Sequence, residues 1–189
     1  MELWIPSQNL EIRKIHLCDF VNEDKYTIAP IQYHDGNLVL TNFVIMTPPL
    51  IVTHYDIETG KLQFDLTNYI QFASKINTFQ AYMVSMLSLH QKALFGIAAE
   101  YTHDIIESMI QYIAYKNKLT LYTGSHKLIR LFEENPGGEK MQHAANPILK
   151  VGDRIKCAIH IKGISCIWNF NTGLPRLRFQ HVLKAAYRV

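Results

Sequence analysis

The 189 residues are enough to bury one sizeable core and few for two, so the length predicts a single domain over residues 1–189. A composition 48% hydrophobic and 19% charged, with 10 Tyr, 9 Phe and 2 Trp, excludes a disordered or collagen-like chain. The formal charge of +3 hides an asymmetry: residues 1–115 carry 6 Lys+Arg against 12 Asp+Glu, whereas residues 116–189 carry 13 against 4. A basic half set against an acidic one points to a polyanion-binding surface, unless the two halves mix their charges on folding. The apolar runs at 38–46 and 83–89 fall well short of the roughly 18 residues of a membrane span. No basic stretch followed by an apolar one opens the sequence, so the expectation is a cytoplasmic chain with no membrane partner. Cys18, Cys157 and Cys166 form no CxxC pair and fit free thiols in a reducing compartment.

The first third reads as strands and turns. Residues 38–46 are rich in branched and aromatic side chains between a His34-Asp35-Gly36-Asn37 turn and Pro48-Pro49, which predicts one strand. Residues 50–55 and 62–66 then flank a loop containing Gly60, the pattern of a hairpin. From Asn68 the period lengthens: Phe72, Ile76, Phe79, Met83, Met86, Leu87 and Leu94 form a helical stripe, with His90 in one of its slots as a partly buried histidine. Thr67 or Asn68 offers the N-cap and Gly96 the stop. A second helix is expected over residues 102–115, with Ile105, Ile106, Met109, Ile110 and Ile113 facing the core. Strands are expected at 119–122 and 127–132, followed by a loop at 133–139 that has the composition of a mobile segment.

The last forty residues alternate most clearly. Arg154, Lys156, Ala158, His160 and Lys162 share one parity, and Ile155, Cys157, Ile159 and Ile161 the other. After a turn expected near Gly163, Ile164, Cys166, Trp168 and Phe170 make the apolar face of the next strand. Beyond a turn at Asn171-Thr172-Gly173, Arg176, Arg178, Gln180, Lys184 and Arg188 share one parity.

Catalytic and metal motifs fail on spacing or geometry. Cys157, His160, Cys166 and His181 are close in sequence, but alternation sends Cys157 and His160 to opposite faces, which cannot supply a tetrahedral zinc site. Residues 136–140 lack the GxxxxGK[ST] spacing that wraps phosphate. The His34-Asp35 and His103-Asp104 pairs and the Glu133-Glu134 carboxylates have no partners that assemble chemistry. The expectation is therefore a non-enzymatic protein with no metal and no cofactor.

The basic strands carry the functional reading. Single-stranded nucleic acid is held by a cationic groove along the phosphates and by aromatic rings on which bases stack. Lys156, Lys162, Arg176, Arg178, Lys184 and Arg188 could supply such a groove, with Arg154, Lys127 and Arg130 as outer members and Trp168, Phe170 and Tyr122 as the aromatics. Each cation also fits a solvated surface, and Trp168 and Phe170 share their parity with the core. Arg176 and Arg178, two apart in a strand, would stand about 7 Å from each other, near the spacing of successive phosphates.

Two stretches carry a family resemblance. Thr47-Pro48-Pro49-Leu50-Ile51-Val52-Thr53-His54-Tyr55-Asp56, with Thr59-Gly60-Lys61-Leu62 and Asp65-Leu66, resembles a strand pair of single-stranded DNA-binding proteins from large nucleocytoplasmic DNA viruses, of the African swine fever virus type. Lys156-Cys157, Ile167-Trp168 and the segment from Gly173 to Gln180 are similar to the C-terminal hairpin of the same group. The resemblance implies a β-rich α+β fold, an OB-fold-like five-stranded barrel with helices inserted between its third and fourth strands. It also implies single-stranded DNA as partner in viral replication, recombination or repair in the host cytoplasm, with the basic strand residues on the phosphates. RNA fits the same chemistry, and self-association along a bound strand is a further expected partnership. Proteins of this class often end in an acidic recruiting tail, whereas Tyr187-Arg188-Val189 reads as part of a strand. The rival expectation is a non-enzymatic viral structural or protein-interaction module, and a nuclease with unrecognised acidic metal ligands is a distant third.

Overall fold

The computed structural model describes residues 3–23, 26–96, 100–123, 131–134, 140–142, 149–169 and 173–189. In chain order these form β1 (Leu3–Pro6), β2 (Ile15–Leu17), β3 (Val21–Asn22), β4 (Thr27–Asp35), β5 (Leu38–Leu40), β6 (Phe43–Met46), β7 (Leu50–Asp56) and β8 (Lys61–Asp65). The helices α1 (Ile70–Leu89), α2 (Gln91–Phe95) and α3 (His103–Met109) follow. Then come β9 (Ile110–Gln111), β10 (Ala114–Tyr115), β11 (Lys118–Tyr122), β12 (Leu131–Glu134), β13 (Lys140–Gln142), β14 (Arg154–Asn169) and β15 (Leu174–Arg188). The chain is strand-rich with few helices, and the described strands join in one mixed sheet.

The hairpin expected around Gly60 is present. β7 and β8 pair antiparallel, Gly60 takes φ +66°, and Asp56 closes the turn by accepting from the Glu58 N–H at 2.9 Å and the Thr59 hydroxyl at 2.6 Å. Residues 38–46 are two strands rather than one: β5 pairs with β4, while β6 pairs with β1 and β14, and the polar Thr41-Asn42 pair marks the break. Of the strand expected at 127–132, only Leu131 and Phe132 fall among the described residues, in β12. Glu133 and Glu134, expected in a loop, also belong to β12, and the rest of that loop lies outside the described residues.

The helical stripe buries Phe72, Ala73, Ile76, Phe79, Met83, Val84 and Leu87, with the Phe79 ring 5.6 Å from that of Phe179 on β15. Tyr69 holds the N-cap position without a side-chain bond, because Thr67 is engaged by Asp65, which accepts its N–H at 2.9 Å and its hydroxyl at 2.6 Å. At the other end the helix breaks at His90, which is exposed and not part of the buried stripe, and α2 carries the chain to Gly96 at φ +103°. The helix expected over 102–115 is shortened to α3, capped by Thr102, with Ile105 outside the core. Its end follows from α1. The buried Gln80 accepts from the N–H groups of Ile113 and Ala114 at 2.9 and 3.0 Å and donates to the Ala114 carbonyl at 3.0 Å. Those are the backbone groups a continued helix would need.

β14 is the spine of the sheet. One edge pairs with β15 along its length; the other is divided among β7 at Arg154 and Ile155, β6 at residues 158–160 and β4 at residues 163–166. No turn interrupts it at Gly163. The register passes from Ile161 opposite His181 to Gly163 opposite Gln180, so Lys162 is the extra residue of a bulge. A second bulge lies on β15, where Ala158 opposite Ala185 is followed by Ile159 opposite Leu183 and Lys184 is left over. Gly163 packs so closely on β4 that an added Cβ would collide with the Ala29 carbonyl oxygen and come within 2.9 Å of Ile28 Cγ1.

Each bulge reverses the parity of its strand. Ile155, Cys157, Ile159 and Ile161 face the main core before Lys162, and Ile164 and Cys166 face it after. On β15, Leu177 and Phe179 share that core with Ala186, whereas Ala185 joins Val44 and Ala158 in a small cluster on the opposite face. Arg188 therefore leaves the parity of Arg176 and Arg178. It stands opposite Ile155 and bonds Asp153 at 3.0 Å.

Candidate nucleic-acid interface

Alternation on β8 and β11 buries Leu62, Phe64, Leu119 and Leu121 and turns their neighbours outward. Pairing then sets Lys61 opposite Tyr122, Gln63 opposite Thr120 and Asp65 opposite Lys118, with Gln63 Nε2 donating to Thr120 Oγ1 at 3.0 Å. β11 meets β15 at a seam, where the Tyr122 N–H donates to His181 Nε2 at 2.8 Å. Accepting that proton selects the neutral His181 tautomer with hydrogen on Nδ1. Burial lowers its pKa to about 4, opposed by the Phe179 backbone and reinforced to a lesser degree by the nearby Arg178 charge.

Arg178 crosses the same seam and lays its guanidinium over the Tyr122 ring, 4.6 Å from the ring centre. Lys61, Gln63, Gln111, Tyr112, Tyr122 and Arg178 are among the residues lining a polar groove of about 150 Å³. No carboxylate among the described residues lines it. Glu107 accepts the Tyr112 hydroxyl at 3.3 Å, and burial together with that carboxylate pushes the phenol up to about 12, so Tyr112 stays protonated. The groove thus offers two cations, one of them over an aromatic ring, and two amide side chains. These are the groups that hold a phosphate and stack or edge-bond a base.

The other expected site residues distribute unevenly. Arg176 is exposed on the Arg178 face, opposite Ile167, and Trp168 near the end of the β14–β15 hairpin is 46% exposed opposite Pro175. Trp168 keeps the core parity of Ile164 and Cys166 yet escapes burial. At the far end of the ribbon Arg154 is exposed opposite Ile51 and Lys156 is half-buried opposite Tyr187. Between the two ends the same parity carries Ala158 and His160, both buried, so the exposed cations of this face are divided. Lys162 is exposed on its bulge and Lys184 half-buried on the other. Lys127, Arg130 and Phe170 lie outside the described residues.

Of the residues lining the groove, Tyr122 and Arg178 are expected from the sequence, whereas Lys61, Gln63, Gln111, Tyr112 and His181 are among those that are not. The outward parity of Lys61 and Gln63 was readable, but their place beside Tyr122 depends on the β8–β11 pairing across the inserted helices. Among the described residues no three of His, Cys, Asp and Glu are grouped so as to hold a metal ion. Cys157 is in the main core, where burial pushes its thiol up, and its N–H donates to Thr47 Oγ1 at 2.9 Å. No protein-family model, curated protein or solved structure matches this chain.

Proposed function

We propose that this chain is a non-enzymatic, sequence-tolerant single-stranded DNA-binding protein built on an OB-type barrel, acting in viral DNA replication, recombination or repair in the host cytoplasm. Its resemblance to the proteins of large nucleocytoplasmic DNA viruses motivates the setting, and the Arg178–Tyr122 pair, in a groove lined by no carboxylate among the described residues, carries the chemistry.

The sheet supports the barrel. Taking β7, β8, β11, β14 and β15 as its five strands, the circuit runs β7-β8-β11-β15-β14 and back to β7, with antiparallel pairing at every step except the β11–β15 seam, which is bridged by His181. OB barrels are partly open five-stranded Greek keys that bind oligonucleotides on the face of strands two and three and on the loops joining strands one to two and four to five. In this numbering Lys61, Gln63, Thr120 and Tyr122 belong to strands two and three, and Trp168 lies beside the connection from four to five. The helices enter between strands two and three, one connection earlier than the resemblance implies, and leave the binding face unchanged.

Salt titration of a fluorescent oligothymidylate tests the reading. With four to six phosphate contacts the slope of log affinity against log salt is expected at about −3 to −4, with weaker binding to a duplex of equal length. A flat response, or a duplex that binds as well, overturns it. The RNA counterpart is expected to bind too, because stacking does not distinguish the sugars.

The rival reading has one observation of its own. Leu38 and Val39 are 59% and 55% exposed on β5, which pairs only with β4 among the described residues. An exposed apolar edge suits addition of another strand. Stable association in sedimentation without oligonucleotide, together with no oligonucleotide binding, would favour that role.

A further inference from the structure

A second cavity, of about 520 Å³, opens at the N-terminus of α1 and shares no lining residue with the Tyr122 groove. That volume lies within the roughly 300–1,000 Å³ of small-molecule pockets. The first helical residues, Ile70, Gln71 and Phe72, have N–H groups with no acceptor inside the helix. Tyr69 supplies no side-chain cap, and no acidic residue occupies the first turn. The partial positive charge of a 20-residue helix is therefore presented uncompensated to the cavity.

Three further features point to a ligand. Ser7 lines the cavity at 6% exposure, and its hydroxyl makes no hydrogen bond to any described residue, which leaves it available to a ligand in the cavity. Lys75 also lines it and spends one of its three N–H donors on the Leu10 carbonyl, at 3.0 Å, leaving two. Pro48, Tyr69, Ile70 and Phe72 give the wall an apolar part, while no Asp or Glu among the described residues lines it.

We propose that this cavity binds a small molecule carrying a terminal oxyanion, phosphate or carboxylate, on an apolar body. The oxyanion sits on the α1 N–H groups, the Lys75 ammonium and the Ser7 hydroxyl. The body lies against Pro48, Tyr69 and Ile70. This site stands independently of nucleic-acid binding at the β11–β15 seam.

Titrations at constant ionic strength, followed through the backbone amide NMR signals of Ile70, Gln71 and Phe72, test the proposal. Phenyl phosphate and benzoate are the headed probes, benzyl alcohol the headless control and inorganic phosphate the bodiless one. At least one headed probe is expected to give saturable shifts, with benzyl alcohol at least tenfold weaker and inorganic phosphate also weaker; whichever head binds more tightly identifies the oxyanion. Gln71→Glu puts a carboxylate where it favours the helix, so folding is retained, yet it should raise the Kd at least fivefold. Lys75→Met should do the same. Absence of saturable shifts with both headed probes, equal binding of benzyl alcohol, or an unchanged Kd in Gln71→Glu overturns the assignment.

Discussion

The guanidinium carbon of Arg178 stands 4.6 Å from the centre of the Tyr122 ring, across the seam where β11 meets β15. The contact sets the guanidinium over the phenol ring, with both beside Lys61 in the same groove. If the ring is a stacking platform, Tyr122→Ala lowers affinity for a single strand by about 1–3 kcal/mol, roughly 5- to 150-fold. Tyr122→Phe keeps the π-face and the wild-type affinity. An oligonucleotide titration distinguishes this from a role for the hydroxyl, in which both variants would lose equally.

Acid should loosen the seam. His181 has an ordinary pKa near 6.5, lowered to about 4 in the fold. Between those values the unfolded chain binds the extra proton, so stability falls as pH drops through this window and is fully present above it. From pH 7.5 to 5 the loss is about 2 kcal/mol. His181→Gln, which retains an acceptor for the Tyr122 N–H, should lack that component. Urea unfolding of both proteins at the two pH values measures the difference; equal losses would show that His181 does not titrate as its burial requires.

Gly163→Ala tests the bulge. The new methyl would press on the Ala29 carbonyl and Ile28, both parts of a paired strand that cannot easily withdraw. Overpacking of this kind costs about 1–3 kcal/mol. Denaturant unfolding should show that loss, and a neutral result would mean that β4 can move away from β14.

The amount legible in the sequence varied with how local its cause was. The Gly60 hairpin, the α1 stripe and the alternation of residues 154–161 depend on neighbours along the chain, and the fold follows them. Gly163 looked like a turn because glycine commonly marks one. Its requirement is a close approach to Ala29, a residue distant in sequence, and period-two reading cannot see the parity reversals at Lys162 and Lys184. The end of α3 was hidden for a similar reason, since Gln80 on another helix binds the backbone there. In the candidate site the C-terminal arginines and Tyr122 were readable as types, but Lys61 belongs to the acidic half and reaches Tyr122 only through strand pairing.

The central claim, a defined groove rather than diffuse positive charge, is tested most directly by measuring single-strand affinity for Arg176→Ala/Arg178→Ala beside Lys92→Glu. Both variants lower the net charge by the same amount, and Lys92 lies on α2, outside the groove. Lys75 is unsuitable as a control because it bonds Leu10. The arginine pair is expected to lose at least tenfold, about 1.4 kcal/mol, with Lys92→Glu close to wild type at the same salt. Equal losses in the two variants, or none in the arginine pair, would contradict a nucleic-acid groove at the β11–β15 seam.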